Sequence, residues 1–538
     1  MTDIPHLKTT RRSVLRGALA GSVALAAPAL LSAQGTYAGI RKNVMAKDAQ
    51  EDVDSYRAGV AEMLKLDPDH PHNWYRNAFI HLLDCPHGNW WFFVWHRPFL
   101  AYFEHKIRIH SKNPEFSLPY WDWSTEQRLP AAMFGSDNAL DPTSSHFPAD
   151  WASFAADYED ATRAYWESFD DAQLAQETIR GNTGFDMFWN GWGGSVQANF
   201  ATPRSIGRTK TAQNPDLTDR ALEFVQPEIV LGGLKPEIFV KPAPNDPSSA
   251  FNSPKAPNHH RGMRGSAVIE GQPHNQVHNN TGGIMPTLLS SIDPLFYLHH
   301  GNIDRLWDIW TRKQTKLGLS ALPLPADAPA FNREPFLFFI DGDGNKVTQD
   351  TTAGDYMDIG RWGYSYTRAT GEELVDAPPR ALMVATNNAS NVRTEAFSAF
   401  NAGIAGVALN EAFTNTLTAP MSQVRHIAHI TFVPPENVQG LRFNFFMAPQ
   451  GDTPQTAPDS PDLAGSFEFF GVVHSHSDPF TVSIDITEAL NRLEATGTLV
   501  PGGELTFAMA AAEVDPSKRL DSAGAIAGQL ISVDVEAI

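Results

Sequence analysis

His274 and His278, followed by Asp293-Pro294 and then His299-His300, constrain this 538-residue chain more than any other feature. A four-residue spacing on a helix puts both imidazoles on one face, one turn apart. Asp293 can cap the free N–H groups of a new helix, and Pro294 is pre-set for its first turn. His299 and His300 follow about 100° apart on that helix, so only one of them can meet the first pair at a common point. Spacing alone leaves the choice open. His300 shares a stripe with Phe296, Asp304 and Trp307, whereas His299 shares one with Leu295 and Leu306.

A second group holds His81, His87 and His96. On one continuous helix, His87 and His96 would face nearly opposite ways. Pro86 and Gly88 place His87 in a loop, and Pro98, tolerated in a first turn, predicts a helix starting close to His96. His81 lies near the end of a helical stretch over 73–83. The chain contains one Cys, which excludes an intrachain disulfide, a cysteine-rich zinc site or an iron–sulfur cluster. Two imidazole triads with no thiolate or carboxylate ligand at hand favour copper, with zinc second. Scattered surface histidines are the competing reading for the 19 present. They would not place two triads beside matching loop and helix-start signals.

The wider organisation is legible from periodicity. Helical spacing runs from Asp48 to Trp123 and returns from Asp293 to Lys316, with a Pro-rich surface loop over Lys235–His260. Residues 371–385 read as a linker. Beyond them, segments such as Leu441–Phe445, Thr481–Ile486 and Ile531–Val535 alternate with period two. The expected fold is a mainly α domain followed by a C-terminal all-β sandwich domain over 386–538. Paired exposed histidines, His259-His260 and His474-Ser475-His476, read as polar loops, and His105 and His110 as packed or solvated. With a formal charge of −20 and no basic patch, the chain is a poor partner for nucleic acid. Arg11-Arg12 before a short apolar run, with small residues at Ala29, Ser32 and Ala33, makes residues 1–33 resemble a twin-arginine export signal. Export of folded cargo to the periplasm or beyond is expected, and a copper-loading chaperone is a candidate partner. No other stretch is apolar enough to span a membrane. Oligomeric state is not legible.

Cys85-Pro86-His87-Gly88 with Trp95-His96-Arg97-Pro98 resembles the first copper motif of type 3 copper proteins. The run from Asp293 to Trp307, DPLFYLHHGNIDRLW, resembles their second motif almost letter for letter. Pro119–Trp123 and Tyr364-Ser365-Tyr366 are similar to further landmarks, the latter closing the catalytic domain. The resemblance covers roughly residues 40–370 and looks closest to bacterial tyrosinases with a C-terminal β domain; it implies that 40–370 is a mainly α catalytic domain, an antiparallel four-helix bundle holding a dicopper site. It implies two copper ions, the first held by His81, His87 and His96 and the second by His274, His278 and His300. It also implies a thioether between Cys85 and His87, and a supporting role for Asp304, which could pair with Arg97 or Arg305 or position a ligand imidazole.

The implied reaction uses O2 to hydroxylate monophenols at the ortho position and to oxidise o-diphenols, both giving o-quinones. Glu270 and Asn275 resemble the acid and amide that hold an activated water in members active on monophenols, a plausible relay for removing the phenol proton. The competing reading makes Glu270 a solvated loop acid and Asn275 a helix-surface residue. Thr287 falls at the gate position above the second copper, with Met285 the alternative, and a small gate would admit bulky phenols. A side chain from the β domain is expected to enter the cleft and make the enzyme partly latent. Two other functions stand beside this: a catechol or o-aminophenol oxidase without hydroxylation, and a haemocyanin-like O2 carrier.

Overall fold

Strand alternation after residue 400 becomes two facing sheets. In the computed structural model, strands β4 (Ile404–Ala408), β5 (His426–Val433), β6 (Leu441–Pro449), β7 (Leu463–Glu468), β8 (Phe480–Asp485), β9 (Glu504–Glu513) and β10 (Gln529–Ala537) form the C-terminal part. The residues described are 39–538 apart from 192, 205–214, 244–245, 247, 262–263, 378–403, 409–423, 436–437, 439–440, 450, 458, 472–477, 500–502 and 514–528. The export-type leader, linker residues 378–385 and His474-Ser475-His476 therefore lie outside the described residues. One sheet runs β4-β9-β6-β7, the other β10-β5-β8-β2, where β2 is Gly265–Ser266. All pairs are antiparallel except β2 with β8. Register pairs Ile430 with both Val482 and Val533, and alternate residues Ala428, Ile430 and Phe432 face Phe443, Phe445 and Met447 in the shared core.

Two features depart from a separate all-β unit. A helix, α8 (Thr487–Ala495), lies among the strands, and β2 comes from the helical part of the chain. Residues 372–376 of the expected linker form a short helix whose Glu372 pairs with Arg312.

The helical part is built on α1 (Gln50–Leu64), α2 (Trp74–Asp84), α3 (Phe92–Ser111) and α7 (Leu295–Leu317), with α4 (Trp151–Glu167), α5 (Asp171–Arg180) and α6 (Asn275–Thr281) around them. Asn73 caps α2 by accepting from the Tyr75 and Arg76 N–H groups. Asp293 caps α7 as expected: its carboxylate accepts from the Leu295 N–H at 2.8 Å and is held by Arg204. The start of α3 differs from expectation. It begins at Phe92, four residues before His96, and carries Pro98 inside. Fifteen of its twenty residues are buried, and this packing outweighs the hydrogen bond that Pro98 cannot donate.

Asp304 of α7 organises the end of the helical part. It accepts from Arg97 at 2.7 Å and from the Tyr364 and Tyr366 hydroxyls at 2.6 Å each. Burial alone would raise its pKa. Arg97, Arg41 and the two hydroxyls hold it below the ordinary carboxylate range instead. Among the described residues no helix is long and apolar enough to cross a membrane.

Candidate metal centre

Five helical segments and one loop bring six imidazoles into one buried cluster. His81 closes α2, His96 sits in α3, His274 ends a π-turn over Glu270–His274, His278 lies in α6, and His300 in α7. His87 occupies the intervening loop, where Gly88 adopts φ 64°, a left-handed turn that glycine takes without strain. Ring centroids within the first triad lie 5.4–5.6 Å apart, and within the second 4.7–5.2 Å. The triads meet where His96 stacks on His300 at 4.3 Å and His87 faces His274 at 5.6 Å.

Hydrogen bonding then decides which ring atoms are available. His81 Nδ1 donates to the Leu288 carbonyl at 2.8 Å, His96 Nδ1 to Phe92 at 2.7 Å, and His278 Nδ1 to Met285 at 2.9 Å. His274 Nδ1 donates to Asn275 Oδ1 at 2.9 Å. A proton held on Nδ1 leaves the lone pair on Nε2. Among the described residues the buried Nε2 atoms of His81, His87, His96 and His274 have no hydrogen-bond partner. His278 Nε2 and His300 Nε2 face each other at 3.0 Å. Burial lowers every one of these pKa values, that of His96 to about 3, so the rings are neutral. Oriented, neutral, otherwise unsatisfied imidazoles are what a metal pair needs, and leaving them empty-handed in the core is costly. The donor set fits copper.

The supporting contacts include several that sequence spacing could not find. Met285 and Leu288, from one turn of chain between α6 and α7, hold an imidazole of each triad through backbone carbonyls. Thr287 lies between them, buried, its hydroxyl donating to the Ile284 carbonyl at 3.0 Å. Cys85 Sγ stands 3.5 Å from His87 Nδ1. Burial pushes the thiol up to about 12.

Glu270 and Asn275 are both buried, not the solvated loop acid and surface amide of the competing reading. Glu270 accepts from the Gly88 N–H at 2.6 Å and from the Ser253 hydroxyl, and burial raises its pKa to about 8. Asn275 divides its amide between His274 and the Glu468 carbonyl at 3.2 Å. No direct hydrogen bond between Glu270 and Asn275 occurs among the described residues.

One aromatic neighbour comes from the β part of the chain: Phe470, just beyond β7. Its ring lies 4.2 Å from that of His278, 4.8 Å from His87 and 5.7 Å from His274, so an aromatic side chain of the β part sits over both triads. Gly471 follows with φ 66°, and a Cβ there would come within 2.6 Å of Leu288 Cδ2. Only glycine lets this turn press the ring against the loop that holds His81.

The reading of His259-His260 as an exposed polar loop is overturned. The His259 ring bridges Glu334 Oε1 at 2.6 Å and Asp84 Oδ1 at 3.1 Å, and His260 Nδ1 accepts from Arg180 Nε at 2.5 Å. Burial alone would lower the pKa of His259, but Asp84 and Glu334 hold it above its ordinary value. Arg180 also donates to the Leu82 and Cys85 carbonyls, so this network clamps the Cys85–His87 segment. Its partners are remote in sequence, which is why a local reading missed it.

A family model described as tyrosinase, common central domain of tyrosinase, matches residues 60–313. The chain is 22% identical over 501 residues to a chloroplastic polyphenol oxidase of Malus domestica, spanning 83% of this chain and 72% of that protein. It is 26% identical over 315 residues to a tyrosinase of Podospora anserina, covering 54% of this chain and about half, 48%, of that protein. Solved structures with the same fold include latent apple tyrosinase, with a TM-score of 0.53 and 19% identity over 93% of this chain and 97% of that one. A latent aurone synthase matches with a TM-score of 0.56 and 18% identity over 93% and 89%. A functional unit of octopus hemocyanin has a TM-score of 0.50 and 18% identity over 93% and 99%.

Proposed function

We propose that this chain, whose residues 60–313 match the tyrosinase family model, belongs to the type 3 copper tyrosinase and polyphenol oxidase family, and that it ortho-hydroxylates monophenols and oxidises o-diphenols to o-quinones with O2. The observation that carries this is the set of buried Nε2 atoms aimed into one space with no protein partner. His81, His87 and His96 would hold one copper, and His274, His278 and His300 the other. The bound pair supplies the two-electron chemistry with O2.

The remaining work falls to the chain's own side chains. A monophenol ordinarily keeps its proton below pH 10, so hydroxylation needs a base. Glu270 is buried beside the His87 loop and has a pKa of about 8, which suits it to take that proton through one water. Asn275 holds His274 in the ligand tautomer, and Thr287 is the proposed gate of the second site. Phe470 occupies the space a phenol ring would need, so the resting chain is proposed to be latent. Relatives named as latent share the fold.

A second reading, o-diphenol oxidation without hydroxylation, is favoured by one observation: Asn275 spends its amide on His274 and Glu468 and makes no hydrogen bond to Glu270. Oxygen uptake by the copper-loaded protein separates the two. With tyrosine as substrate, Glu270→Gln is expected to slow uptake by about 10²- to 10⁴-fold, the usual reach of general base catalysis, while catechol oxidation persists. No uptake with tyrosine before substitution, but uptake with catechol, would establish the second reading. A thioether between Cys85 and His87 is also proposed from their 3.5 Å approach. Peptide mass analysis should show the joined segment two hydrogens lighter, and an intact free thiol would refute it.

A further inference from the structure

We infer that Trp123 is a positioning residue that keeps His299 out of the second copper's ligand set, so that four buried imidazoles leave a three-imidazole site with a position open to an incoming ligand. The inference rests on the proposed copper site. Burial and reach do not distinguish the four rings. Side-chain nitrogens of His274, His278, His299 and His300 all lie within 4.8 Å of one another, and all four residues are fully buried. His299 stacks against His274 at 5.4 Å and lies 4.9 Å from His278.

Hydrogen bonding does distinguish them. Trp123 Nε1 lies 3.1 Å from His299 Nδ1. An indole N–H can only donate, so His299 Nδ1 must carry the lone pair. A ring accepting at Nδ1 is neutral with its proton on Nε2, and a protonated Nε2 cannot bind a metal. Among the described residues that Nε2 has no hydrogen-bond partner. His274 and His278 show the opposite arrangement, with Nδ1 donating to Asn275 and Met285 and Nε2 free to ligate. His300 has no partner at Nδ1 among the described residues, and its Nε2 faces His278 Nε2.

The indole is firmly placed. The Trp121 N–H donates to the Leu298 carbonyl at 3.0 Å, fixing the segment to α7 one residue before His299. Asp122 is tied to the backbone N–H and hydroxyl of Thr370 at 3.2 and 2.9 Å and also accepts from Ser124. Removing the indole N–H would let the His299 proton move to Nδ1 and turn the Nε2 lone pair toward the metal.

The test is Trp123→Phe in the copper-loaded full chain, read by copper content and by spectroscopic titration with azide as the incoming ligand. Two coppers per chain with azide affinity weakened about tenfold or more, roughly 1.4 kcal/mol, is the expected result. The double variant Trp123→Phe, His299→Gln should regain wild-type affinity, because a glutamine cannot supply the fourth imidazole. Single His299→Gln should keep two coppers, an independent check if Trp123→Phe folds poorly. Unchanged azide affinity in Trp123→Phe, a loss that persists in the double variant, or loss of a copper in His299→Gln would overturn the inference. Fewer than two coppers in the unsubstituted protein would overturn the reading of the site and this inference with it.

Discussion

Phe470→Ala is expected to lower KM for a small catechol by about 10- to 100-fold with kcat little changed. The size follows from the plug's own burial, since hiding a phenylalanine ring from water is worth roughly 1.5–3 kcal/mol. On the proposed latency that energy would bias the cleft toward its closed form, and a site open only a fraction of the time binds substrate more weakly by that fraction. The ring centroid 4.2 Å from that of His278 places the plug where a substrate ring would stack. Truncation removes the competitor without touching a proposed copper ligand. Steady-state kinetics at matched copper content would check it, with thermal unfolding as control. An unchanged KM in a folded, fully loaded variant would leave Phe470 a packing residue. Cutting the chain within the linker should act in the same direction if the β part swings away, and more weakly if the contacts of β7 and β8 with the π-turn hold it in place. Those contacts include the Asp485 N–H donating to Gln272 Oε1 at 3.1 Å, and at the adjoining start of α6 the Asn275 amide donates to the Glu468 carbonyl.

His300→Ala is expected to reduce bound copper from two ions per chain to one and to cut turnover by about a thousandfold or more, a barrier increase of at least roughly 4 kcal/mol. The proposed chemistry would draw one electron from each of two ions, so a half-filled site would have no partial route. Loss of one imidazole leaves His274 and His278, too few for a stable site, and His299 cannot substitute while Trp123 holds its Nδ1. Copper analysis with oxygen uptake on catechol is the measurement. Retention of two coppers in His300→Ala, with loss in His299→Gln, would reverse the assignment of the two neighbours.

Much of this centre was legible because its signals are local. The four-residue spacing of His274 and His278, the Asp293-Pro294 helix start and the Pro86–Gly88 loop each act within one or two turns of backbone, and each reappears in the fold. The alternating segments near 443, 482 and 533 became core strands for the same reason. Pro98 misled, because the rule that places proline in a first turn is a local cost of a few kcal/mol. Burial along most of α3 exceeds it.

The sequence by itself determined that two groups of imidazoles, the helix start at Asp293-Pro294 and a β-rich tail exist, since spacing and periodicity are properties of neighbouring residues. Only the tertiary structure decided that Trp123 sets the His299 tautomer, that Phe470 covers the site, and that His259 is buried between Asp84 and Glu334. Each of those contacts joins residues more than 70 positions apart, and such a contact depends on how whole helices and sheets pack, leaving no periodic trace along the chain.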